Sequence, residues 1–301
     1  MPEPPVPEPP APAPPAPDAP PSACPGGAPA ADERVPLVRA AVRILVEAAV
    51  YRIRKHEAGN LLGTVSLLIA RGATIPELAV RTTFAGILNL FIYLFNDLFD
   101  VRLDLASPGK DPTKSEFLSR HRRAAAFALA LMFVVLLAMA LLHARILVVA
   151  LLVCVALDFI YSGWLKRVAF VDVVLNAAWG FSMTLCGVLE RDLAHSLKLA
   201  GFLGLVAACF EVIQVIRDAP TDRAAGLRTT GTVLGTRGSR WLFRVLALGT
   251  GAYAVALLHS WAALALVLAL LLPLAPARAS RTWDLARVLF GLVWIALLLR
   301  V

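Results

Sequence analysis

Long apolar runs dominate this chain. Residues 124–142 read AAAFALALMFVVLLAMALL and residues 146–164 read ILVVALLVCVALDFIYSGW, each close to the ~20 residues a helix needs to cross a bilayer. Nine such stretches follow residue 57, at 58–75, 78–99, 124–142, 146–164, 171–189, 197–217, 241–258, 261–277 and 285–301. With 59% hydrophobic residues and a mean hydropathy of +0.74, the chain is too apolar for an ordinary water-soluble domain. The expected fold is therefore all-α, a polytopic membrane protein of about nine transmembrane helices around a central cavity that opens to the cytoplasmic side.

The first 33 residues are different in kind. They hold 14 of the 21 prolines, so they lack the apolar surface to fold and are expected to form a disordered, partly polyproline II tail. Residues 34–56 form an amphipathic segment, with Arg39, Arg43 and Glu47 four apart, and are expected to lie along the membrane surface. Residues 57–301 then make up the transmembrane domain.

The net charge of +8 could suit nucleic acid, but the basic residues fall in short clusters between apolar runs and form no single basic face, which argues against it. They read as topology signals. Links after the second, fourth, sixth and eighth spans are rich in Arg and Lys, while the opposite links offer Arg81, Arg145, Arg191, Lys198 and little else. Positive charge marks the cytoplasmic side, so the N-terminus is expected inside, in a bacterial inner membrane. The four cysteines and five histidines are dispersed without metal-ligand spacing.

Two acidic clusters interrupt the apolar pattern. In NDLFDVRLD, Asn96, Asp97, Asp100 and Asp104 share one side of a helix end. In EVIQVIRDAPTDR, Glu211, Gln214, Asp218 and Asp222 do the same, with Pro220 expected to kink or end the helix near Asp218 and present Asp222 from the loop. Acids in a membrane segment cost ~2.5 to 3.5 kcal/mol each at mid-helix and demand counter-charge. A bland reading has the first cluster as a solvated helix end paired with Arg102 and Lys110. The repetition of the pattern favours two walls of carboxylate and carboxamide oxygens, a donor set suited to Mg²⁺. Lys110 and Lys114 follow the first cluster, and Arg217 and Arg223 flank the second, as phosphate-binding groups would. No Walker or Gly-rich phosphate loop is present, so a lipid-linked diphosphate fits better than a nucleotide.

With these residues in hand, the chain resembles the UbiA superfamily of intramembrane prenyltransferases. The resemblance rests on NDxxDxxxD at Asn96 to Asp104, a second Asp motif at Gln214 to Asp222 with Gly and Thr downstream, and YSxxLK at Tyr161 to Lys166. It implies a Mg²⁺-dependent enzyme that ionises an allylic isoprenyl diphosphate (farnesyl, geranylgeranyl or longer) and transfers the prenyl group to an aromatic or other lipophilic acceptor. On that resemblance Asn96, Asp97, Asp100, Asp104, Asp218 and Asp222 bind metal, and Lys110, Lys114, Tyr161, Lys166, Gln214, Arg217 and Arg223 contact substrate. Gln214 departs from the family's Asp, and GKDPTKSEFLSRHRR departs from its usual Arg-Pro continuation. A membrane terpene cyclase using the same acids is the alternative, and an ion or proton transporter the second alternative.

Among single residues, Asp158 is expected to orient Tyr161 or pair with Lys166. Asn176, Trp179 and Met183 share one side of a span, mainly for packing. Glu190 and Arg191 read as a solvated loop, and Gly231, Gly235 and Gly238 as a chain break before the seventh span.

Overall fold

The computed structural model describes residues 35–54, 59–105, 112–163, 165, 168–224 and 226–300. The proline-rich segment 1–33, Lys110 and Lys166 lie outside the described residues, and Asp104 is described in its backbone alone. Among the described residues the secondary structure is entirely helical: α1 (Leu37–Arg54), α2 (Gly59–Ala70), α3 (Ile75–Leu105), α4 (Pro112–Arg120), α5 (Arg122–His143), α6 (Arg145–Gly163), α7 (Val171–Thr184), α8 (Leu193–Ala224), α9 (Thr230–Leu258) and α10 (Ala279–Leu298), with short 3₁₀ segments between them.

Five of these regions are long and apolar enough to cross a membrane: 75–102, 122–143, 145–163, 190–224 and 230–258. The chain is an integral membrane protein by that measure. The other sequence-derived spans take different forms. The first contracts to α2, whose 12 residues extend only about 18 Å. The fifth divides into α7 and a 3₁₀ turn at Leu185–Gly187, and the eighth is an 11-residue 3₁₀ helix, Trp261–Leu271. Hydropathy alone does not distinguish a continuous α-helix from an apolar run that changes its winding.

The core is organised around α8, which packs most extensively against α7 and α9. Small residues permit this. A β-carbon on Gly180 would sit 2.5 Å from Ala207 Cβ, and one on Gly231 would sit 2.5 Å from the Val215 carbonyl oxygen. Close approach of backbones is the usual way helices gain packing when lipid removes the hydrophobic drive between them.

Two sequence expectations about breaks need correction. Helix α8 continues through Pro220 to Ala224, so Asp222 is a helical residue. The helix stops later, where Gly226 takes φ 68° and the amides of Gly226 and Leu227 bond the carbonyls of Arg223 and Asp222. That paired closure is the glycine C-terminal motif of helices, and it absorbs the end that proline was expected to make. Of the three glycines downstream, Gly231 and Gly238 lie within α9, and the backbone departs from helix only at Gly235 (φ 61°, ψ 178°).

Helix α1 lays Ala40, Ala41, Ile44 and Ala48 into the protein, against α5 and α3, and leaves Val38, Val42, Val46, Val50 and Ile53 exposed. At the far end of α3, Arg81, read from sequence as a link charge, is buried inside the helix bundle. Its guanidinium donates to the Val188 carbonyl (2.7 Å) and the Cys186 carbonyl (3.3 Å), where α7 has given way to the 3₁₀ turn. Arg191 likewise is no idle loop residue: it bonds Glu77 and the carbonyls of Arg71 and Gly72.

Candidate active site

The first acidic cluster occupies the last two turns of α3. Asp97 is buried, and its two oxygens are taken by two cations: Oδ1 accepts from Arg52 Nη2 of α1 at 2.8 Å, and Oδ2 from Lys114 Nζ of α4 at 2.7 Å. Arg102, one of the two cations named for that role, is not among these partners, and Lys110 lies outside the described residues. Arg52 lies 45 residues away in sequence, and a local search for counter-charge could not find it. Tyrosine rings hold the cations in place, Arg52 over Tyr93 with 4.0 Å to the centroid and Lys114 over Tyr51 at 4.4 Å.

One turn on, Asp100 is half-buried and faces the end of α6. Asn96 Oδ1 and Asp158 Oδ2 are both buried without a hydrogen-bond donor. That Asp158 oxygen has no bond to Tyr161 or to any other described residue; the expected pairing with Lys166 lies outside the described residues. Buried acceptors without donors are uncommon in folded proteins, and each asks for an explanation such as an ion or water.

The second cluster is held in another way. Glu211 accepts from Asn176 Nδ2 of α7 and, at 3.4 Å, from Gln214 Nε2. Asp218 forms a two-pronged pair with its neighbour Arg217 at 2.7 and 2.9 Å, both side chains about half exposed. Asp222 accepts from Thr229 Oγ1 at 2.9 Å, and Arg223 is exposed on the last turn of α8. Asn176 was expected mainly to pack; it is the side chain that fixes Glu211. Trp179, one turn along α7, meets Tyr93 edge to face at 6.1 Å, and Met183 is fully buried.

A third element closes the arrangement. Asp172, at the start of α7, is buried and accepts from the Thr230 hydroxyl, the Thr230 amide (3.3 Å) and the Val173 amide (2.8 Å), while the Phe170 amide donates to the Thr230 hydroxyl at 2.6 Å. Phe170 adopts φ 72°, a left-handed conformation costly for a side chain with a Cβ, and the Thr230 contact helps hold it there. The segment YSGWLKRVAFVD is thus tied to the threonines beyond the second Asp motif. Sequence gave no sign of this join, since Asp172 and Thr230 are 58 residues apart.

Part of each cluster comes near Tyr161, at the last turn of α6. The carboxylates of Glu211, Asp172, Asp100 and Asp222 all lie close enough to act on it electrostatically. Groups from α3, α6, α7 and α8 therefore share one region, rich in oxygen donors and in negative charge. Among the described residues no three His, Cys, Asp or Glu side chains are already gathered as a metal cluster. Asp97, Asp218, Glu211 and Asp222 each bond a different partner.

The wider comparisons agree with this architecture. The fold is similar to a structure of a UbiA homolog from Archaeoglobus fulgidus bound to GPP and Mg²⁺, with 15% identity over 86% of this chain and 99% of that one and a TM-score of 0.61. It is similar also to a structure from work on digeranylgeranylglyceryl phosphate synthase in membranes (14% identity, 86% and 98% covered, TM-score 0.61) and to the A. fulgidus homolog bound to DMAPP and Mg²⁺ (15%, 86% and 98%, 0.60). No curated protein matches the sequence significantly. The model of the UbiA prenyltransferase family matches residues 61–288, which takes in both acidic clusters and the segment between them, and the chain belongs to that family.

Proposed function

We propose that this chain is a Mg²⁺-dependent intramembrane prenyltransferase that ionises an allylic isoprenyl diphosphate and passes the prenyl group to an aromatic or other lipophilic acceptor. The observation that carries the reading is the meeting around Tyr161 of acids from the ends of α3 and α8. Solved structures of similar fold hold prenyl diphosphates with Mg²⁺, which supports the same ligand class here.

The residues fit the metal. The donors are all oxygen, the set a hard cation prefers, and the buried Asn96 and Asp158 oxygens without donors are suited to face one. Asn96, Asp97, Asp100 and Asp104 on one side, and Asp218 and Asp222 on the other, would hold Mg²⁺. Bound there, the cation would supply Lewis-acid neutralisation of the leaving diphosphate.

The chain's own groups do the rest. Lys110, Lys114, Tyr161, Lys166 and Arg223, with Gln214 and Arg217 beside them, would bind the outer diphosphate oxygens and orient the breaking C–O bond toward the acids. Near the end of α3, Trp179 packs edge to face on Tyr93 and Phe95 stacks on Phe99 at 4.6 Å, and aromatic faces of this kind would attract the positive charge of an allylic cation. The apolar helices would accommodate the hydrocarbon tail. The clustering of basic residues supports a mouth on the cytoplasmic face, and the amphipathic pattern of α1 supports its lying along the membrane surface.

The test is direct. Purified chain in nanodiscs is supplied with geranyl, farnesyl and geranylgeranyl diphosphates, Mg²⁺ and a pool of lipophilic acceptors, and products are read by mass spectrometry. Prenylated acceptor and Mg²⁺-dependent release of diphosphate are expected. Cyclic terpenes formed without any acceptor would replace transfer by cyclisation, and no release from any diphosphate would refute the enzyme reading.

A further inference from the structure

The family match begins at residue 61, yet one of the two cations on Asp97 comes from Arg52, ahead of it. Asp97 has both oxygens committed, Oδ1 to Arg52 and Oδ2 to Lys114, in charge-assisted bonds of 2.8 and 2.7 Å. A divalent cation approaching either oxygen meets a positive group already at hydrogen-bond distance from it. The three side chains are only 8 to 19% exposed, so solvent screens that repulsion weakly. Two like charges this near each other need support, which the rings of Tyr93 and Tyr51 give from either side. Helix α1 is therefore more than a surface anchor: its last turn carries a counter-ion for a metal-binding acid.

We propose that Arg52 competes with the divalent cation for Asp97, so that α1 sets the metal affinity of the site and yields this carboxylate when metal binds. The inference rests on the reading of Asp97 as a metal ligand. Competition has a sign that a merely structural role lacks. Removing the guanidinium should tighten metal binding, because Asp97 then keeps more of its negative charge for the incoming ion. It also makes release reciprocal, since bound metal must loosen the hold of Arg52 on Asp97 to the same extent.

The experiment uses Mn²⁺ alone, without prenyl diphosphate, on the full chain in nanodiscs, with free Mn²⁺ counted by electron paramagnetic resonance. Arg52→Met is expected to bind Mn²⁺ on the order of tenfold more tightly, while Arg52→Lys, which keeps the charge, stays near the unmodified protein. Equal or weaker affinity in Arg52→Met overturns the inference and leaves the prenyltransferase reading standing. Absence of Mn²⁺ binding in every form overturns both. A second measurement needs no variant: saturating Mn²⁺ should speed amide hydrogen exchange over residues 50–54 of the unmodified chain, and unchanged exchange there overturns the competition.

Discussion

The ends of α3 and α8 carry the same kind of acidic motif but settle their charge by opposite means. At α3, Asp97 draws on two mostly buried cations from other helices, 45 and 17 residues away. At α8, Glu211 accepts from the neutral Asn176, Asp222 accepts from Thr229 among its contacts, and Asp218 pairs with the arginine beside it near solvent. The first arrangement couples the charge of Asp97 to the assembly of α1, α3 and α4. The second leaves the acids electrostatically exposed to one another and depends on the α7 to α9 packing to hold them. Similar motifs in a sequence thus do not imply similar energetics.

The largest effects should make the contrast visible in two readouts at once. Asp97→Ala and Asp218→Ala are each expected to lower diphosphate release by about 10³-fold or more, the size of effect seen when a principal electrostatic group is removed from an active site. Their stabilities should part company. Asp97→Ala leaves two mostly buried cations without their acid and should cost about 2 to 4 kcal/mol, whereas Asp218→Ala removes a half-exposed pair and should cost about 0 to 0.5 kcal/mol. Thermal unfolding in detergent, followed alongside activity, reads both; equal destabilisation would break the distinction between the two ends.

Smaller changes sharpen it. Gly231→Ala places a methyl against the Val215 carbonyl oxygen and should destabilise by about 1 to 3 kcal/mol, with activity falling as the end of α8 shifts. Asn176→Leu, which withdraws the donor from Glu211, should cost about 1 to 2 kcal/mol and lower kcat/KM by about tenfold; an unchanged kcat/KM would place Glu211 outside the reaction. Arg191→Ala, at the opposite end of the bundle, should lower stability by about 1 kcal/mol or less and leave turnover as it was.

What the sequence made legible follows from range. Acids three, four and seven residues apart on a helix declare a shared face by themselves, so the positions of Asn96, Asp97, Asp100, Gln214 and Asp218 could be read directly. Partners separated by 35 to 58 residues could not. Arg52 looked like one basic residue of a surface helix, Asn176 like a packing group, and Asp172 like the end of a local motif. Each acquired its role only when helices crossed. The apolar runs revealed a membrane protein and its order of segments, but α2, the α7 break and the 3₁₀ helix at Trp261–Leu271 were hidden because hydropathy carries no record of winding. Pro220 misled for a related reason. A proline removes one hydrogen bond, and in α8 that loss falls about one turn before the helix ends at Ala224, where the helix tolerates it.

The claim beneath all of this is that α3 and α8 contribute to one reaction centre. A double-mutant cycle of Asp97→Ala and Asp218→Ala, scored by Mg²⁺-dependent diphosphate release from a prenyl diphosphate, tests it most directly. If the two acids serve one centre, the double variant should be little slower than either single one, because the first loss already disables the shared step. Losses that multiply, or a double variant with full activity, would contradict it.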